Sequence, residues 1–201
     1  MSEDHPDLTD FERAEARRVT QSKCAEVLQK EPAISADVTR AVIDAGGVLE
    51  RFTSRLKSEG SLYRKVQHVM HTDKTIAEDA VAVISDALRY TVVVDEKDYW
   101  ATGSEIGAAL ERAGYKSFWK SRGWRRFGFK GRNDTFIGPG GLLFEIQIHT
   151  KASLRAAEQA HPLYEQQRRP TTPEHVKVEL DKLQNAIFDR VPAPNDVKWV
   201  D

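Results

Sequence analysis

Residues 144–149 alternate strictly between apolar and polar side chains, and this segment limits the possible folds of the chain more than any other. On a β-strand, successive side chains point to opposite faces of the sheet. The three apolar residues can therefore enter a core, while Glu145, Gln147 and His149 line the opposite, open face. A carboxylate between two hydrogen-bonding side chains makes that face a candidate site.

A predicted helix follows this strand directly. Thr150 can cap its N-terminus, because a threonine oxygen accepts a backbone amide hydrogen of the first turn. One stripe of the helix, by the spacing of its members, holds Leu154, Glu158, His161, Glu165 and Arg168. Pro162 is expected to kink the helix or end it early. A half-exposed strand and a solvated helix would give the same pattern, so the pattern alone leaves both readings open.

The composition of the chain excludes several classes of protein. It has 201 residues, of which 40% are hydrophobic and 30% charged, as expected of one ordinary soluble domain. The net charge of −1 indicates no general attraction to nucleic acid or membranes. The single Cys24 excludes an intrachain disulfide. With no signal peptide and no apolar run near the roughly 20 residues of a membrane span, we expect a cytoplasmic protein.

Apolar spacing and glycine positions indicate how the chain is organised. Residues 10–30 and 35–45 are predicted helices, and Gly46-Gly47 is expected to break or kink the helical pattern. Thr172 is the expected N-cap and Pro173 the expected first residue of a last helix, and the tail after it indicates no function. We predict three parts: an N-terminal helical region over 1–50, a core domain over 51–170, and a C-terminal helix and tail over 171–201.

Residues 51–65 are rich in groups that bind phosphate. Arg55, Lys57, Ser61 and Lys65 stand in the order R-x-K-x-x-x-S-x-x-x-K. Arginine offers a planar fork to phosphate oxygens and lysine offers a point charge. Ser61 is a possible helix cap whose neighbouring amides would face an anion. A solvated basic surface is the alternative interpretation.

Asp86 lies just before a strand predicted within residues 84–94. The nearby His68 and His71 have no acidic partner at the spacing of a known metal site, so we interpret them as surface or packed residues. Two further helices are predicted, one over 76–84 capped by Thr75 and one over 104–113 capped by Ser104.

A basic and aromatic segment covers residues 112–132. Its basic residues are Arg112, Lys116, Lys120, Arg122, Arg125, Arg126, Lys130 and Arg132. Its aromatic residues are Phe118, Trp119, Trp124, Phe127 and Phe129. Basic groups neutralise phosphates and aromatic rings stack on bases, so a nucleotide or an RNA end could bind here. Beyond it, a turn at Pro139-Gly140-Gly141 predicts a β-hairpin that ends in the alternating strand.

Four segments, in this order along the chain, resemble motifs of the RelA/SpoT-like nucleotidyltransferases. They are the R-x-K-x-x-x-S-x-x-x-K segment, the Asp86 segment, Gly128 to Asn133, and the strand from Phe144 with Glu158, His161 and Tyr164 behind it. The resemblance implies an α+β fold, in which helices flank a mixed, largely antiparallel sheet of about five strands. It also implies transfer of the β,γ-pyrophosphate of ATP to the ribose 3′-hydroxyl of a purine nucleotide.

The resemblance implies roles for particular residues. Asp86 and Glu145 would hold Mg²⁺, Glu145 would also take the 3′-hydroxyl proton, and Gln147 would orient the acceptor. The ATP phosphates would bind Arg55, Lys57, Ser61 and Lys65. The acceptor would bind Phe129, Lys130, Asn133, His149 and His161, with the Phe129 ring stacking on its base.

The sequence departs from the family pattern at several of these positions. Arg89 and Thr91 occupy the glycine and arginine positions of the family's D-x-x-G-x-R motif, Phe129 replaces a tyrosine, and His149 replaces an arginine. These departures leave the acceptor base open. Two alternatives therefore remain: a toxin-like enzyme that pyrophosphorylates the 3′ end of tRNA, and a non-catalytic nucleotide-binding module. A homo-oligomer or a neutralising antitoxin is a possible partner.

Overall fold

The structure is a computed structural model that describes residues 4–121, 123–169, 171–197 and 199–200. Its helices are α1 (Asp10–Asp44), α2 (Glu59–Asp73), α3 (Ala77–Ala82), α4 (Tyr99–Arg112), α5 (Lys151–Gln167) and α6 (Glu174–Phe188), with short 3₁₀ turns at Phe52–Ser54 and Pro139–Gly141. Its strands are β1 (Val48–Glu50), β2 (Arg89–Val93), β3 (Lys116–Trp119), β4 (Trp124–Arg125), β5 (Arg132–Ile137), β6 (Leu143–His149) and β7 (Trp199–Val200).

Five of the strands form the main sheet, in the order β1-β2-β6-β5-β3. Only the β2–β6 pair is parallel, and the other three pairs are antiparallel. The predicted α+β fold with a mixed, largely antiparallel sheet is therefore confirmed. The predicted hairpin is also present, because β5 and β6 pair directly across the turn at Pro139–Gly141.

The strand β3 forms one edge of this sheet. All four of its residues are exposed, and its pairing with β5 shifts register between Ser117 and Trp119, as at a β-bulge. The small strands β4 and β7 form a separate parallel pair.

The core lies between one face of the main sheet and the helices α1 to α4. Phe144, Ile146 and Ile148 point into it and are 1% exposed or less, as their alternation predicts. Residues of α1 belong to the same core, and β1 pairs with β2. The division of the chain at residues 50 and 170 stays a prediction.

The helix boundaries differ from the sequence prediction where burial overrides a local signal. The predicted helices over 10–30 and 35–45 are one continuous helix, α1, with Pro32 inside it. Its buried residues lie on both sides of the proline, so packing offsets the lost backbone hydrogen bond. Pro162 likewise lies inside α5, which continues to Gln167 against α6. The expected interruption at Gly46-Gly47 is confirmed as a break, because α1 ends at Asp44 and Gly46 has a φ of 81°.

The predicted N-caps are correct at one position and wrong at four, one of which is Thr172, because α6 begins at Glu174 with Pro173 as its N-cap residue. Thr150 caps α5, as predicted. Ser58, not Ser61, caps α2, and Thr75 does not cap α3, whose N-cap residue is Ile76. Ser104 lies inside α4, which begins at Tyr99.

The N-terminus of α4 is capped from the far end of the chain. The carboxylate of Asp196 accepts hydrogen bonds from the backbone amides of Trp100, at 2.9 and 3.0 Å, and Ala101, at 2.9 Å. No local sequence pattern signals a cap that comes from 95 residues away. None of the described helices is both long enough and apolar enough to cross a membrane.

Candidate active site

Polar side chains from three adjacent strands share the sheet face that points away from the core. In β6, Glu145 lies beside Arg89 of β2 and Thr135 of β5, and Gln147 lies beside Thr91 and Asn133. Partners in register point to the same face of a sheet. These six residues are named the open face below.

Asp86 sits at the centre of a three-charge cluster beside the open face. Its two carboxylate oxygens accept hydrogen bonds from Lys57 Nζ and Lys65 Nζ, each at 2.8 Å. Burial raises the pKa of Asp86, but the charges of Lys65 and Lys57 outweigh it and lower the pKa from 3.8 to about 2. Burial lowers the pKa of Lys57 in spite of Asp86. These three residues form the Asp86 cluster, and their roles as a metal ligand and two phosphate-binding lysines stay predictions.

The chain segment around Lys57 forms backbone hydrogen bonds with the residues at the start of β2. The Lys57 amide donates to the Ala87 carbonyl at 3.1 Å, and the Arg89 amide donates to the Arg55 carbonyl at 2.8 Å. These backbone bonds place Lys57 and Asp86 side by side although 29 residues separate them.

Glu145 has a pKa that is raised above its ordinary value. Burial is the main cause and the negative charge of Asp86 the second, while Arg89 and Lys65 act in the opposite direction. Glu145 of the open face and the neighbouring Asp86 therefore have opposite pKa shifts, a pattern common where one group holds charge and the other exchanges a proton.

Arg55 is held by residues of α1 that the sequence analysis did not identify. Its Nε donates to Glu31 Oε1 at 2.5 Å, and its guanidinium stacks on the Phe52 ring, 4.2 Å from the centroid. Glu31 also accepts from Ser35 Oγ, which lies 2.8 Å from the Tyr90 hydroxyl. The N-terminal helix thus orients the first predicted ATP-binding residue.

Ser61 lies in the first turn of α2, where its backbone amide donates to Ser58 Oγ at 3.3 Å. Its hydroxyl accepts hydrogen bonds from Ser58 Oγ at 2.9 Å and Arg64 Nη2 at 3.0 Å. It therefore stands one helix turn before Lys65, on the element that carries that lysine.

His149 is buried, and its expected position on an open face is wrong. Only 1% of it is exposed, and its Nδ1 lies 3.0 Å from Ser153 Oγ. Burial, with the charges of Arg51 and Arg89, lowers its pKa to about 4. The strand ends against α5, so the last residue of the alternation is covered by that helix, and the neutral ring offers no charge to a phosphate.

Phe129 packs edge-to-face between two rings. Its centroid is 5.6 Å from that of His149 and 5.7 Å from that of Phe188 in α6. A Cβ at position 131 would lie only 2.8–2.9 Å from the Phe129 and His149 rings, so Gly131 permits this arrangement. The C-terminal helix therefore helps to fix the ring that the sequence predicts to stack on the acceptor base.

Lys130 does not project toward a ligand, contrary to its predicted place in the acceptor site. It is 4% exposed, and its Nζ donates to the carbonyls of Arg125 and Arg126 at 2.7 and 2.8 Å. Burial lowers its pKa. Its ammonium group stabilises the loop before Phe129, a use that no sequence motif signals.

Asn133 and His161 differ in their surroundings. The buried Oδ1 of Asn133 has no hydrogen-bond partner in the part of the chain that the structure describes. Asn133 belongs to the open face, in register with Gln147, and a buried acceptor without a partner is a feature that calls for a ligand or a water molecule. His161 is exposed on α5, one turn after Glu158, which forms an ion pair with Arg51.

Arg89 is the open-face residue that the motif comparison passed over. It stands two positions before Thr91, where the family motif has its arginine, and residues two apart on a strand share a face. Relative to the family motif, the arginine of this chain is therefore displaced by two residues along β2. It stays on the same face of the sheet, beside Glu145. Strand periodicity, applied to Arg89 and Thr91 together, would have identified it.

The basic and aromatic segment is partly exposed. The exposed fractions of Phe118, Trp119 and Phe127 are 63%, 51% and 76%. Arg126 lies over the Trp199 ring of β7, with Cζ 5.7 Å from the centroid. Arg122, predicted to contact phosphate, lies outside the described residues.

The solved structures with a similar fold include the Type VI effector Tas1, in complex with its immunity protein. The likeness has a TM-score of 0.53 at 18% sequence identity, and it covers 87% of this chain and 96% of that chain. A second is the small alarmone synthetase 1 from Bacillus subtilis bound to its product pppGpp, with a TM-score of 0.43, 16% identity, and coverage of 71% of this chain and 72% of that one. The fold is RelA/SpoT-like. No protein-family model and no curated protein matches the sequence.

The RelA/SpoT-like fold accounts for the order of the elements around the open face. It brings the 55–65 segment, Asp86 and β6 together, although they are distant in the chain. At 18% identity, the likeness concerns the fold and not the substrate.

Proposed function

We propose that this protein is an ATP-dependent pyrophosphokinase that transfers the β,γ-pyrophosphate of ATP to the ribose 3′-hydroxyl of a purine nucleotide. The products would be alarmones of the (p)ppApp or (p)ppGpp type. The observation that carries the proposal is the pairing of Asp86 and Glu145, two neighbouring carboxylates with opposite pKa shifts, beside two lysines.

Asp86 and Glu145 fit a magnesium site. Both offer the oxygen ligands that Mg²⁺ prefers, and Glu145 is a partly buried carboxylate whose ionised form is disfavoured by burial and by Asp86. A bound cation would relieve both penalties. When bound, Mg²⁺ would neutralise charge on the ATP polyphosphate.

When ATP binds, Lys57 and Lys65 would release the Asp86 carboxylate and bind ATP phosphates instead. Each now bonds to Asp86, and each can turn to an ATP phosphate once that carboxylate has another positive partner. Arg55, oriented by Glu31, would offer the remaining edge of its guanidinium to the same phosphates. Ser61 would add a hydroxyl at the start of the helix that carries Lys65.

Glu145 would take the proton of the acceptor 3′-hydroxyl. Its raised pKa brings the carboxylate closer to the operating pH, which suits a general base. Gln147, in register with Asn133, would orient the ribose, and the orphan Oδ1 of Asn133 would accept a hydrogen bond from it.

Phe129 would stack on the acceptor base. Rings that pack edge-to-face on two neighbours are held in place, so the ring would lose little freedom on binding. Lys130 and His149 would act through Phe129, by fixing its loop and its ring. His161, exposed on α5, would be the outermost contact with the acceptor.

A labelling experiment tests this function. The protein is incubated with Mg²⁺, ATP labelled at the γ-phosphate and, in separate reactions, AMP, ADP, GMP, GDP, GTP or bulk tRNA. We expect label on a purine nucleotide, and none on any acceptor with Glu145→Gln. Absence of transfer to every acceptor, with ATP still bound, would favour the non-catalytic module.

A second candidate function is pyrophosphorylation of the 3′ end of tRNA. The exposed rings of Phe118, Trp119 and Phe127, next to Arg125 and Arg126, favour an acceptor larger than a nucleotide. If tRNA is the acceptor, Arg125→Ala with Arg126→Ala should greatly reduce modification and flatten its salt dependence, because several phosphate contacts would be lost. Transfer to a free nucleotide should change little in the same variant.

The same exposed aromatic surface is a candidate site for a neutralising protein. The similarly folded Tas1 was solved with its immunity protein, which makes an antitoxin partner worth testing. Co-expression with the products of neighbouring genes, followed by purification of a complex, would identify such a partner.

A further inference from the structure

Three metal-ligating side chains meet at the N-terminal end of the described chain, away from the open face. His5 and Asp7 lie in the segment before α1, and His71 lies in the last turn of α2. One nitrogen of each ring and one Asp7 oxygen all lie within 4.8 Å of one another. Asp7 Oδ2 is 3.9 Å from His5 Nδ1 and 3.8 Å from His71 Nε2.

The segment that carries two of these groups is anchored to α2. The His5 amide donates to Gln67 Oε1 at 2.7 Å, and Gln67 is buried. The Tyr63 hydroxyl donates to Asp4 Oδ1 at 2.8 Å. The His5 side chain is consequently only 9% exposed. These contacts hold the ligand groups together before any ion binds, which lowers the entropic cost of binding.

The side chains of His5 and His71 are packed against each other. Their rings stack with centroids 4.4 Å apart and an angle of 29°. His5 Nδ1 accepts a long hydrogen bond of 3.4 Å from the Asp7 amide, so its lone pair faces Asp7.

We propose that His5, Asp7 and His71 bind one divalent transition-metal ion of the zinc class. Two imidazoles and a carboxylate are a ligand set that suits zinc and its neighbours better than magnesium. Ligand atoms around a tetrahedral zinc ion lie about 3.3 Å apart when the bonds are about 2.0–2.1 Å. The separations of 3.8 and 3.9 Å from Asp7 need to close by about 0.5 Å, and the two imidazole nitrogens, which lie within 4.8 Å of each other, need to approach as well.

The surroundings provide a fourth ligand position. The cluster lines a groove of about 670 Å³ between the N-terminal segment, α2, and the α5–α6 pair. His68, one turn before His71, lines the same groove, and water can reach it. His68 or a water molecule would complete the coordination.

An ion at this site would link the N-terminal segment to the helix that carries Lys65. His71 and Lys65 both belong to α2. Metal binding at the C-terminal end of α2 would therefore stabilise the helix that carries Lys65 of the Asp86 cluster. The site itself does not depend on the proposed reaction.

Metal binding to the full chain without an affinity tag tests the proposal. The protein is dialysed against Zn²⁺ near neutral pH and the bound metal is measured by elemental analysis, with the binding of Co²⁺ followed by its visible absorption. We expect about one ion per chain and a higher melting temperature with Zn²⁺. His5→Ala, Asp7→Asn and His71→Ala should each weaken binding by about 10-fold or more, because even an outer-shell partner contributes that much.

Two control variants separate this site from other possibilities. His175→Ala removes an exposed histidine outside the cluster and should leave zinc binding unchanged. Glu145→Gln removes a group of the open face and should do the same. If His71→Ala fails to fold by circular dichroism, His71→Gln replaces it. The proposal would be overturned by absence of binding at micromolar Zn²⁺. It would also be overturned if the His5 and His71 variants bound zinc as tightly as the parent protein.

Discussion

At the scale of single residues, Asp86 and Glu145 show how similar side chains acquire different properties. Asp86 has two ammonium groups at 2.8 Å, which favour its charged form. Glu145 is partly buried next to that negative charge, which favours its neutral form. The first residue should therefore stabilise the fold at neutral pH, and the second should weaken it.

Asp86→Asn should destabilise the protein. The pKa of Asp86 is lowered from 3.8 to about 2, which corresponds to about 2 kcal/mol of stability above pH 4. This contribution is lost as the pH falls through the folded-state pKa, so the variant and the parent should converge near pH 2. Urea unfolding at several pH values measures the difference. A constant difference down to pH 2 would contradict the assigned ion pairs.

Glu145→Gln should have the opposite effect on stability. The pKa of Glu145 is raised in the folded state, so its ionisation costs stability at neutral pH, and the cost disappears below the pKa of the unfolded chain. The variant should therefore melt at a higher temperature than the parent near pH 7, and at a similar temperature near pH 4. In the labelling assay it should be inactive. A lower melting temperature at pH 7 would contradict the raised pKa.

At the scale of elements, the sequence predicts best what neighbouring residues determine. The alternation of residues 144–149 predicts β6 and its buried face, and Thr150 predicts the start of α5. The start of α4 was missed because its cap, Asp196, lies far along the chain. The burial of His149 and Lys130 was missed for a different reason, since the covering groups are close in sequence but carry no motif: α5 covers His149, and the carbonyls of the preceding loop bind Lys130.

Asp196→Ala should destabilise α4 by about 0.5–2 kcal/mol, the usual value of an N-terminal cap. Asp98→Ala is the matched control, because Asp98 occupies the N-cap position of α4 but makes no capping hydrogen bond with its side chain. Amide hydrogen exchange should show faster exchange in the first turn of α4 for the first variant only. Equal effects of the two substitutions would contradict the distant cap.

At the scale of the whole molecule, the two ends of the described chain contribute to the centre. Glu31 of α1 orients Arg55, and Phe188 of α6 supports Phe129. The sequence motifs predicted the residues at the centre but not these supports, because a supporting side chain carries no motif of its own.

Phe188→Leu should raise the acceptor KM by about 2–10-fold, the value of one aromatic pair, and leave the ATP KM nearly unchanged. Leucine keeps most of the buried apolar volume, so the substitution mainly removes the edge-to-face contact between the rings of Phe188 and Phe129. Leu183→Ala, at a 53% exposed position of the same helix, is the control and should have little effect. An equal rise in the KM of both substrates would contradict a specific support of Phe129.

The edge strand β3 has a consequence for how the protein behaves at high concentration. An exposed edge that carries Phe118 and Trp119 is a template on which another chain can add a strand, and such addition leads to aggregation. Lys116 and the register shift between Ser117 and Trp119 both oppose it, since a charge and a bulge make a regular ladder unfavourable. The rings can thus stay exposed to meet a partner while the backbone beside them resists self-association.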